Sequence, residues 1–267
     1  SMVQQINAGI LPSYFEHDYR FPPIGRVENA RLHLDNEGHT YVMADLELFD
    51  SALSSKKASP TKSLVTHDTP IGKAQVAFDR TYDTEDYQEL VMDVQRQLDS
   101  ELMPITEGKK ALEPMSWLTL GFGFVAGAVA SGFFNKLGQD IWDKLKKSLS
   151  AICEKRRQED GTFVIDFLVT VHDEKTTVEA RVMFTNPEYD DIKEILPSAL
   201  QEIEKVLQRY KESGQEVRKL AWNVAERELR FSYAVDLDGI PVDVDEKAIE
   251  EYGEFISMKA RDLNEHS

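Results

Sequence analysis

Residues 115–135 read MSWLTLGFGFVAGAVASGFFN and contain no charged side chain. At about 1.5 Å of rise per residue, these 21 residues would form a helix roughly 30 Å long, which matches the hydrocarbon core of a bilayer. Apolar helices buried inside other proteins are usually shorter than this. The segment therefore predicts a central, glycine-rich transmembrane helix.

Small residues recur in this segment at the spacing that brings two membrane helices into close contact. Gly123, Gly127 and Ser131 are four residues apart, and small residues at that spacing let neighbouring helix backbones approach each other. Gly121 and Gly132 complete the predicted packing or pore face. The predicted lipid-facing side chains are bulky and apolar: Leu118, Phe122, Val125, Val129 and Phe133.

The same spacing permits a second interpretation, because glycines also allow close packing in a buried helix at the core of an oligomer. A simple single span would also have to carry the polar residues before it across the bilayer, and those residues contain no secretory pattern. A re-entrant hairpin that bends at residues 121–127, or insertion after synthesis when the oligomer assembles, would avoid this. Both interpretations predict a homo-oligomer, for which a tetramer is the expected size. They differ in whether lipid surrounds the helix.

Basic residues cluster just beyond the apolar segment, although the chain as a whole is acidic. It has 48 Asp and Glu against 31 Lys and Arg, and a formal net charge of -17. That balance disfavours general binding to nucleic acid or anionic lipid, so any anion site must be local. The candidates for an anionic ligand or a lipid headgroup are Lys144, Lys147, Lys155 and Arg156. A solvated helix face explains them equally well.

Alternating and helical patterns on both sides of the segment predict mixed α and β structure. Two strands around residues 26–34 and 41–49 form a predicted hairpin, and a helix covers residues 83–102. The later patterns predict strands at 163–171 and 177–184, a helix at 189–210, and strands at 217–224 and 228–235. The predicted fold class is α+β, with a β-rich N-terminal part, the central apolar helix and a C-terminal ββαββ-type sheet with helices.

These patterns divide the chain into three predicted parts. Residues 1–105 form an N-terminal α/β regulatory domain, and residues 106–158 contain the apolar helix with its basic, amphipathic continuation. Residues 159–267 form a C-terminal α+β domain. A chain of 267 residues is long enough for two folded parts, each with its own core.

Motifs that carry catalysis or metal binding are missing from the sequence. It contains no GxxxxGK[ST], GxSxG or HExxH pattern, and no GxGxxG after a strand. The single cysteine, Cys153, and six scattered histidines do not have metal-ligand spacing. Asp45 and Glu47 alternate on a predicted strand, where solvent-facing acids are a commoner explanation than catalysis. We therefore expect no enzymatic activity, no metal and no cofactor, with carboxylate chemistry at this pair as a third possibility.

The run from Glu113 to Lys146, which ends in GQDIWDKLK, resembles the glycine-rich membrane helix and charged continuation of effectors in bacterial anti-phage defence, of the Hailong type. The resemblance covers about a seventh of the chain. It implies a channel in the bacterial inner membrane, with its other parts mainly in the cytoplasm, that depolarises an infected cell. It also implies a nucleotidyltransferase partner whose oligodeoxynucleotide product controls the channel.

Two functions follow from the sequence. The first is a membrane effector that homo-oligomerises through the glycine-rich helix and forms a ligand-gated pore. The alternative is a soluble, oligomeric scaffold or assembly protein in which the same helix is the buried oligomer core.

Overall fold

The computed structural model describes residues 2–14, 18–35, 38–49, 63–78, 85–99, 101–102, 115–157, 161–173, 176–247, 249–250 and 253. The chain divides into two units. The first is formed by residues 1–65 together with 231–267, and the second by residues 66–230. The fold is α+β, and four helices and two sheets are present in the described residues.

The first unit is built on a small sheet with the strand order β3-β2-β1-β4. Strand β1 pairs antiparallel with β2 and parallel with β4, and β2 with β3 forms a long antiparallel hairpin. The elements are α1 (Met2–Ala8), β1 (Gly9–Ser13), β2 (Gly25–Leu34), β3 (Thr40–Leu48) and β4 (Ser63–Leu64). The hairpin predicted at residues 26–49 is therefore confirmed.

The second unit contains a mixed sheet with helices α2, α3 and α4. Its elements are β5 (Ala74–Phe78), α2 (Glu85–Leu98), β6 (Glu101–Leu102), β7 (Met115–Val125), α3 (Val129–Arg157), β8 (Thr162–His172), β9 (Thr177–Thr185), α4 (Tyr189–Ser213), β10 (Val217–Ala225) and the start of β11 (Glu228–Asp236). The strand order is β11-β10-β9-β8-β7-β5-β6. Helix α3 connects the parallel strands β7 and β8, and α4 connects the parallel strands β9 and β10.

The chain returns to the first unit through the rest of β11, which pairs antiparallel with β12 (Pro241–Val242). This returning segment bonds to the N-terminal part of the same unit. The Ser232 hydroxyl donates to the Arg20 carbonyl at 2.9 Å, and the Arg26 guanidinium donates to the Asp238 carbonyl at 3.1 Å. The first unit is therefore held together by segments from both ends of the sequence.

The core of the second unit lies between one face of the sheet and the helices. On β7 the buried side chains Leu118, Leu120, Phe122 and Phe124 alternate along the strand. The Phe122 ring meets the Phe133 ring of α3 edge-on, with the ring centroids 5.0 Å apart. Since side chains two residues apart in a strand point the same way, this contact identifies the face that the helix covers.

The transmembrane helix predicted at residues 115–135 is wrong. Its first eleven residues form strand β7, a turn follows, and α3 begins at Val129. Large side chains at 118, 120, 122 and 124 alternate with Thr119, Gly121 and Gly123, which is the two-residue period of a strand with one helix-covered face. Among the described residues, no helix has both the length and the apolar character needed to cross a membrane.

The strands and the helix predicted after residue 160 are confirmed as β8, β9, α4, β10 and β11. The burial of these elements explains why their hydrophobic patterns predicted them correctly. Both faces of β8 and β9 are largely buried, which produces nearly continuous apolar runs, and α4 has a buried stripe ending at Tyr210. The turn between β10 and β11 places Glu226 and Arg227 at positive φ, as two-residue hairpin turns require.

Candidate functional site

The small residues predicted to pack between membrane helices are distributed over three elements of the second unit. Gly121 and Gly123 lie in β7, Gly127 lies in the β7–α3 turn with φ 79°, and Ser131 and Gly132 lie in the first turn of α3. They do not form one stripe on one helix.

Gly123 and Gly121 mark a close approach between two backbones. A Cβ on Gly123 would overlap the carbonyl oxygens of Thr69 and Pro70. A Cβ on Gly121 would lie 3.1 Å from the Thr69 hydroxyl. Glycine in a strand interior is typical of such an approach, and the partner here is residues 66–73 of the same unit, which we call the covering segment.

The side chains predicted to face lipid belong to the core of the second unit, with one exception. Leu118, Phe122, Val129 and Phe133 are buried, whereas Val125 at the end of β7 is half exposed.

All four predicted anion-binding residues lie in α3, and the side chains of three of them are described. Lys147 is exposed, Lys155 lies with its ammonium 4.4 Å from the Tyr87 ring centroid, and Arg156 is buried with its guanidinium 4.3 Å from the same ring. The Lys144 side chain lies outside the described residues. Two of the predicted cations, Lys155 and Arg156, thus contact the ring of Tyr87 near the C-terminal end of α3.

A row of charged side chains crosses the sheet face opposite the helices, a feature that the sequence interpretation missed. Lys219 on β10 lies 3.1 Å from Glu179 on β9, and Arg181 bonds the other oxygen of Glu179 at 2.8 Å. Arg181 also pairs with Asp166 on β8. The charges alternate along the row, and Asp166 and Glu179 are buried. In the sequence, the row could have been recognised from charged residues that lie inside otherwise apolar strands.

Burial and ion pairing oppose each other at Glu179. Burial alone would raise the pKa of its carboxyl, but Lys219, Arg181 and the amide of His67 outweigh burial and hold the pKa below its usual range. Burial lowers the pKa of the Lys219 ammonium, and Glu179 offsets only part of that shift. Glu179 therefore remains a carboxylate and is poorly suited to accept a proton in a reaction.

The covering segment is bonded onto this same polar face. The His67 amide donates to Glu179 at 2.7 Å, and the Thr170 hydroxyl donates to the His67 carbonyl at 3.2 Å. The ring of His172 bonds the Thr69 carbonyl at 2.9 Å. The charged row thus fixes a loop onto a sheet, which is a structural role.

The β2–β3 hairpin of the first unit carries an exposed apolar face. We call this the apolar hairpin face and define it by five large side chains that are between 42% and 65% exposed: Leu32, Leu34, Val42, Leu46 and Leu48. Leu32 is paired with Val42 across the two strands, and Leu46 is paired with Val27. Exposed apolar patches on this scale usually mark interaction sites.

A β-bulge brings these side chains onto one face. The register shifts by one residue between Glu28 and Arg31, where Asn29 adopts φ 49°. Without this extra residue, Val27 and Leu32 would point to opposite sides of β2. Asn7 of α1 holds the bulge, since its side chain both donates to and accepts from the backbone of Ala30 at 2.7 Å.

The opposite face of the hairpin contains the acids considered for catalysis, together with the exposed side chains of Tyr41 and Met43. Asp45 bonds Arg31 at 3.2 Å, and Glu47 bonds Arg26 at 2.7 Å. Each carboxylate therefore faces a guanidinium across the hairpin rather than the other carboxylate.

Two neighbouring cavities lie in the second unit, at the sheet edge where β9 and β10 end. The first has a volume of about 180 Å³ and is lined by the end of α3, the start of β8, and Asn186 with Pro187. The second has a volume of about 350 Å³ and is lined by the ends of β9 and β10 and by the same Asn186 and Pro187. Ligands of α/β sheets commonly bind outside the carboxyl ends of parallel strands.

No group of three or more His, Cys, Asp or Glu side chains that could hold a metal ion occurs in the described part of the chain. Comparisons of the chain with protein-family models, with curated proteins and with solved structures find no match. The resemblance to Hailong-type effectors, with the partner and the ligand that it implies, stays a prediction. The geometry alone must carry the functional argument.

Proposed function

We propose that this chain is an assembly protein whose copies associate through the apolar hairpin face. The observation that carries the proposal is the exposure of Leu32, Leu34, Val42, Leu46 and Leu48 on one side of one hairpin. The proposal keeps the assembly hypothesis but moves the contact from the glycine-rich segment to β2 and β3. The pore hypothesis required a transmembrane helix at residues 115–135, but residues 115–125 form a strand.

The size of the apolar hairpin face supports a second copy as the occupant. Fully burying a Leu or Val side chain contributes roughly 1.5–3 kcal/mol. Five side chains that are about half exposed would contribute roughly 4–8 kcal/mol per copy. Two copies that bury the same face on each other double this contribution to roughly 8–16 kcal/mol, which is of the same order as an association cost of about 4–15 kcal/mol. An isologous, two-fold contact has this property.

The five uncharged side chains of the apolar hairpin face make it a surface through which two copies of this acidic chain can meet with little direct charge repulsion. Each chain has a formal net charge of -17, so two copies repel each other over most approaches. The five side chains of the apolar hairpin face carry no charge, whereas Arg31, Asp45 and Glu47 project on the opposite face. Contact through the apolar hairpin face keeps these charges solvated.

Sedimentation velocity of the full chain tests the proposal. We expect the wild type to dimerise at micromolar concentration and the double variant Leu32→Asn, Leu46→Asn to associate at least 100-fold more weakly. Met43→Asn is the matched control, because Met43 is similarly exposed but lies on the opposite face of the hairpin. This control should associate like the wild type.

Circular dichroism of each variant establishes that the fold is retained. A wild type that stays monomeric at several hundred micromolar contradicts the proposal. Equal loss of association in Met43→Asn and in the double variant contradicts it as well, as does binding to phospholipid vesicles in place of self-association.

A further inference from the structure

Strand β3 lies at one edge of the four-stranded sheet in the first unit. Among the described residues its only partner strand is β2. Eight of its nine residues are exposed, and the remaining one, Glu47, is half-buried. Even the small side chain of Ala44, in the middle of the strand, is exposed. The outer edge of β3 is therefore open along its length.

Alternate residues of β3 direct their backbone polar groups towards this open edge. At one end of the hairpin the Asp35 amide donates to the His39 carbonyl at 3.0 Å. At the other end the Phe49 amide donates to the Ile24 carbonyl at 2.9 Å. In an antiparallel ladder, residues that bond the partner strand alternate with residues whose N–H and C=O point away from it. Because 39 and 49 are both odd, the even-numbered residues of β3 point outward.

This edge lacks most of the features that prevent edge-to-edge pairing. Natural edge strands are often short, contain proline or lysine, or are twisted away by a bulge. Strand β3 is nine residues long and contains neither proline nor lysine, and the extra residue of the bulge lies in β2. Its two acids, Asp45 and Glu47, are each paired with an arginine of β2. The edge is thus suited to the addition of another strand.

We propose that the edge of β3 is a second self-contact, in which the β3 strands of two copies pair antiparallel about a two-fold axis at Ala44. This register pairs all nine residues, because Thr40 then lies opposite Leu48 of the second copy. It also sets each outward-pointing residue opposite another outward-pointing residue, as an antiparallel ladder requires.

The side chains of β3 are complementary to themselves in this register. On the apolar side, Val42 lies opposite Leu46 of the second copy, so the two apolar hairpin faces become one continuous surface. On the other side, Met43 lies opposite Asp45 of the second copy. An axis at Asp45 would instead place two aspartates opposite each other, and like charges at that spacing destabilise a sheet. A second copy therefore supplies a strand that fits this edge.

Edge pairing and the face contact proposed above can form in the same assembly. The two-fold axis of the edge pairing is perpendicular to the sheet, so the apolar hairpin faces stay uncovered on one side of it. The axis of the face contact lies between two stacked sheets. Two perpendicular two-fold axes generate a closed tetramer with D2 symmetry. The tetramer rests on the proposed function, whereas the edge pairing does not.

Disulfide cross-linking of the full chain tests the edge pairing. In Ala44→Cys the two Cα atoms would lie about 5.5 Å apart, within the range in which a disulfide forms. The matched control is Thr40→Cys, an outward-pointing residue of the same strand whose two copies would lie about 27 Å apart. We expect mild oxidation to give at least tenfold more covalent dimer with Ala44→Cys than with Thr40→Cys. The native Cys153 is buried and is common to both variants.

The face contact alone cannot produce this cross-link, because stacked sheets lie about 10 Å apart and a disulfide needs Cα atoms within about 7 Å. Equal cross-linking of Ala44→Cys and Thr40→Cys overturns the edge pairing. No cross-linking of Ala44→Cys at several hundred micromolar overturns it as well. If Leu32→Asn, Leu46→Asn associates like the wild type while Ala44→Cys still cross-links, the face contact fails and the edge pairing stands.

Sedimentation equilibrium of Ala44→Pro provides a second test. Proline removes the outward N–H of Ala44 without removing a hydrogen bond to β2. We expect dimers of this variant to join into tetramers at least tenfold more weakly than those of the wild type, with dimer formation unchanged. Ala44→Val retains the amide and should behave like the wild type. Unchanged tetramer formation in Ala44→Pro contradicts the edge pairing, and if this variant fails to fold, the two cysteine variants still decide.

Discussion

Glu179 illustrates how a single buried charge supports the second unit. Its carboxylate receives Lys219, Arg181 and the amide of His67. Replacing it with glutamine leaves two largely buried cations, Arg181 and Lys219, without the anion that they share. We expect Glu179→Gln to lower the free energy of unfolding at pH 7 by about 3–5 kcal/mol, measured by urea denaturation.

The pH dependence of that difference gives a second measurement on the same variant. Because the pKa of Glu179 is lower in the folded protein than in the unfolded chain, its contribution is fully present above the unfolded pKa, about 4.3, and is lost as the pH falls further. The gap between wild type and Glu179→Gln should therefore be constant from pH 7 to pH 5 and narrow below pH 4. Glu202→Gln, at an exposed ion pair on α4, should change stability by less than about 1 kcal/mol; a comparable loss there would count against a special role for Glu179.

At the level of single residues, the sequence showed which chemistry was present but not which groups would meet. Asp166, Glu179 and Lys219 are far apart along the chain and lie beside one another only through the strand order and register. Neither is readable from one sequence, because register depends on long-range packing. The cluster of basic residues in the sequence pointed to Arg156. The cavity that Arg156 lines could not be predicted, because part of its wall comes from the loop between β9 and α4.

The sequence around strand β7 fits both a helical and a strand-like spacing of its residues. The small residues between 115 and 135 fit a four-residue helical spacing, but the large ones fit a two-residue spacing up to 124. Packing within the mixed sheet decides that these residues form a strand. One face of β7 packs on α3, and the other face contacts the covering segment. Short apolar runs are ambiguous between strand and helix for this reason.

The two glycines of β7 provide a matched pair of substitutions. Gly123→Ala would push a methyl group into the backbone carbonyls of Thr69 and Pro70, which cannot rotate away. We expect a loss of at least about 2 kcal/mol in thermal or urea unfolding. Gly121→Ala meets only the Thr69 hydroxyl at 3.1 Å, a side chain that can move. Its expected loss is below about 1 kcal/mol, and equal losses at the two positions would argue against the close approach of the covering segment.

The hairpin was predictable as an element, whereas its surface was not. Alternation in Val42, Leu46 and Leu48 identified β3, and the turn residues after Leu34 identified its partner. The bulge at Asn29 breaks the alternation on β2, so the two halves of that strand could not be assigned to one face from the sequence. An apolar face that looks discontinuous in sequence is continuous in the structure.

For the whole molecule, net charge and the apolar hairpin face make opposite contributions to association. Two chains of formal charge -17 repel each other, and the repulsion acts over about 10 Å at 0.1 M salt but only about 3 Å at 1 M. The five side chains of the apolar hairpin face carry no charge, so salt screens the repulsion between the two chains without weakening the contact.

Raising NaCl from 0.05 to 0.5 M at pH 7.5 should therefore tighten dimerisation by about tenfold, measured by sedimentation equilibrium. An interface made of ion pairs would respond in the opposite direction, because screening would weaken its attraction. A dissociation constant that rises with salt would therefore place the contact away from the apolar hairpin face, on surfaces where charged residues of the two copies meet.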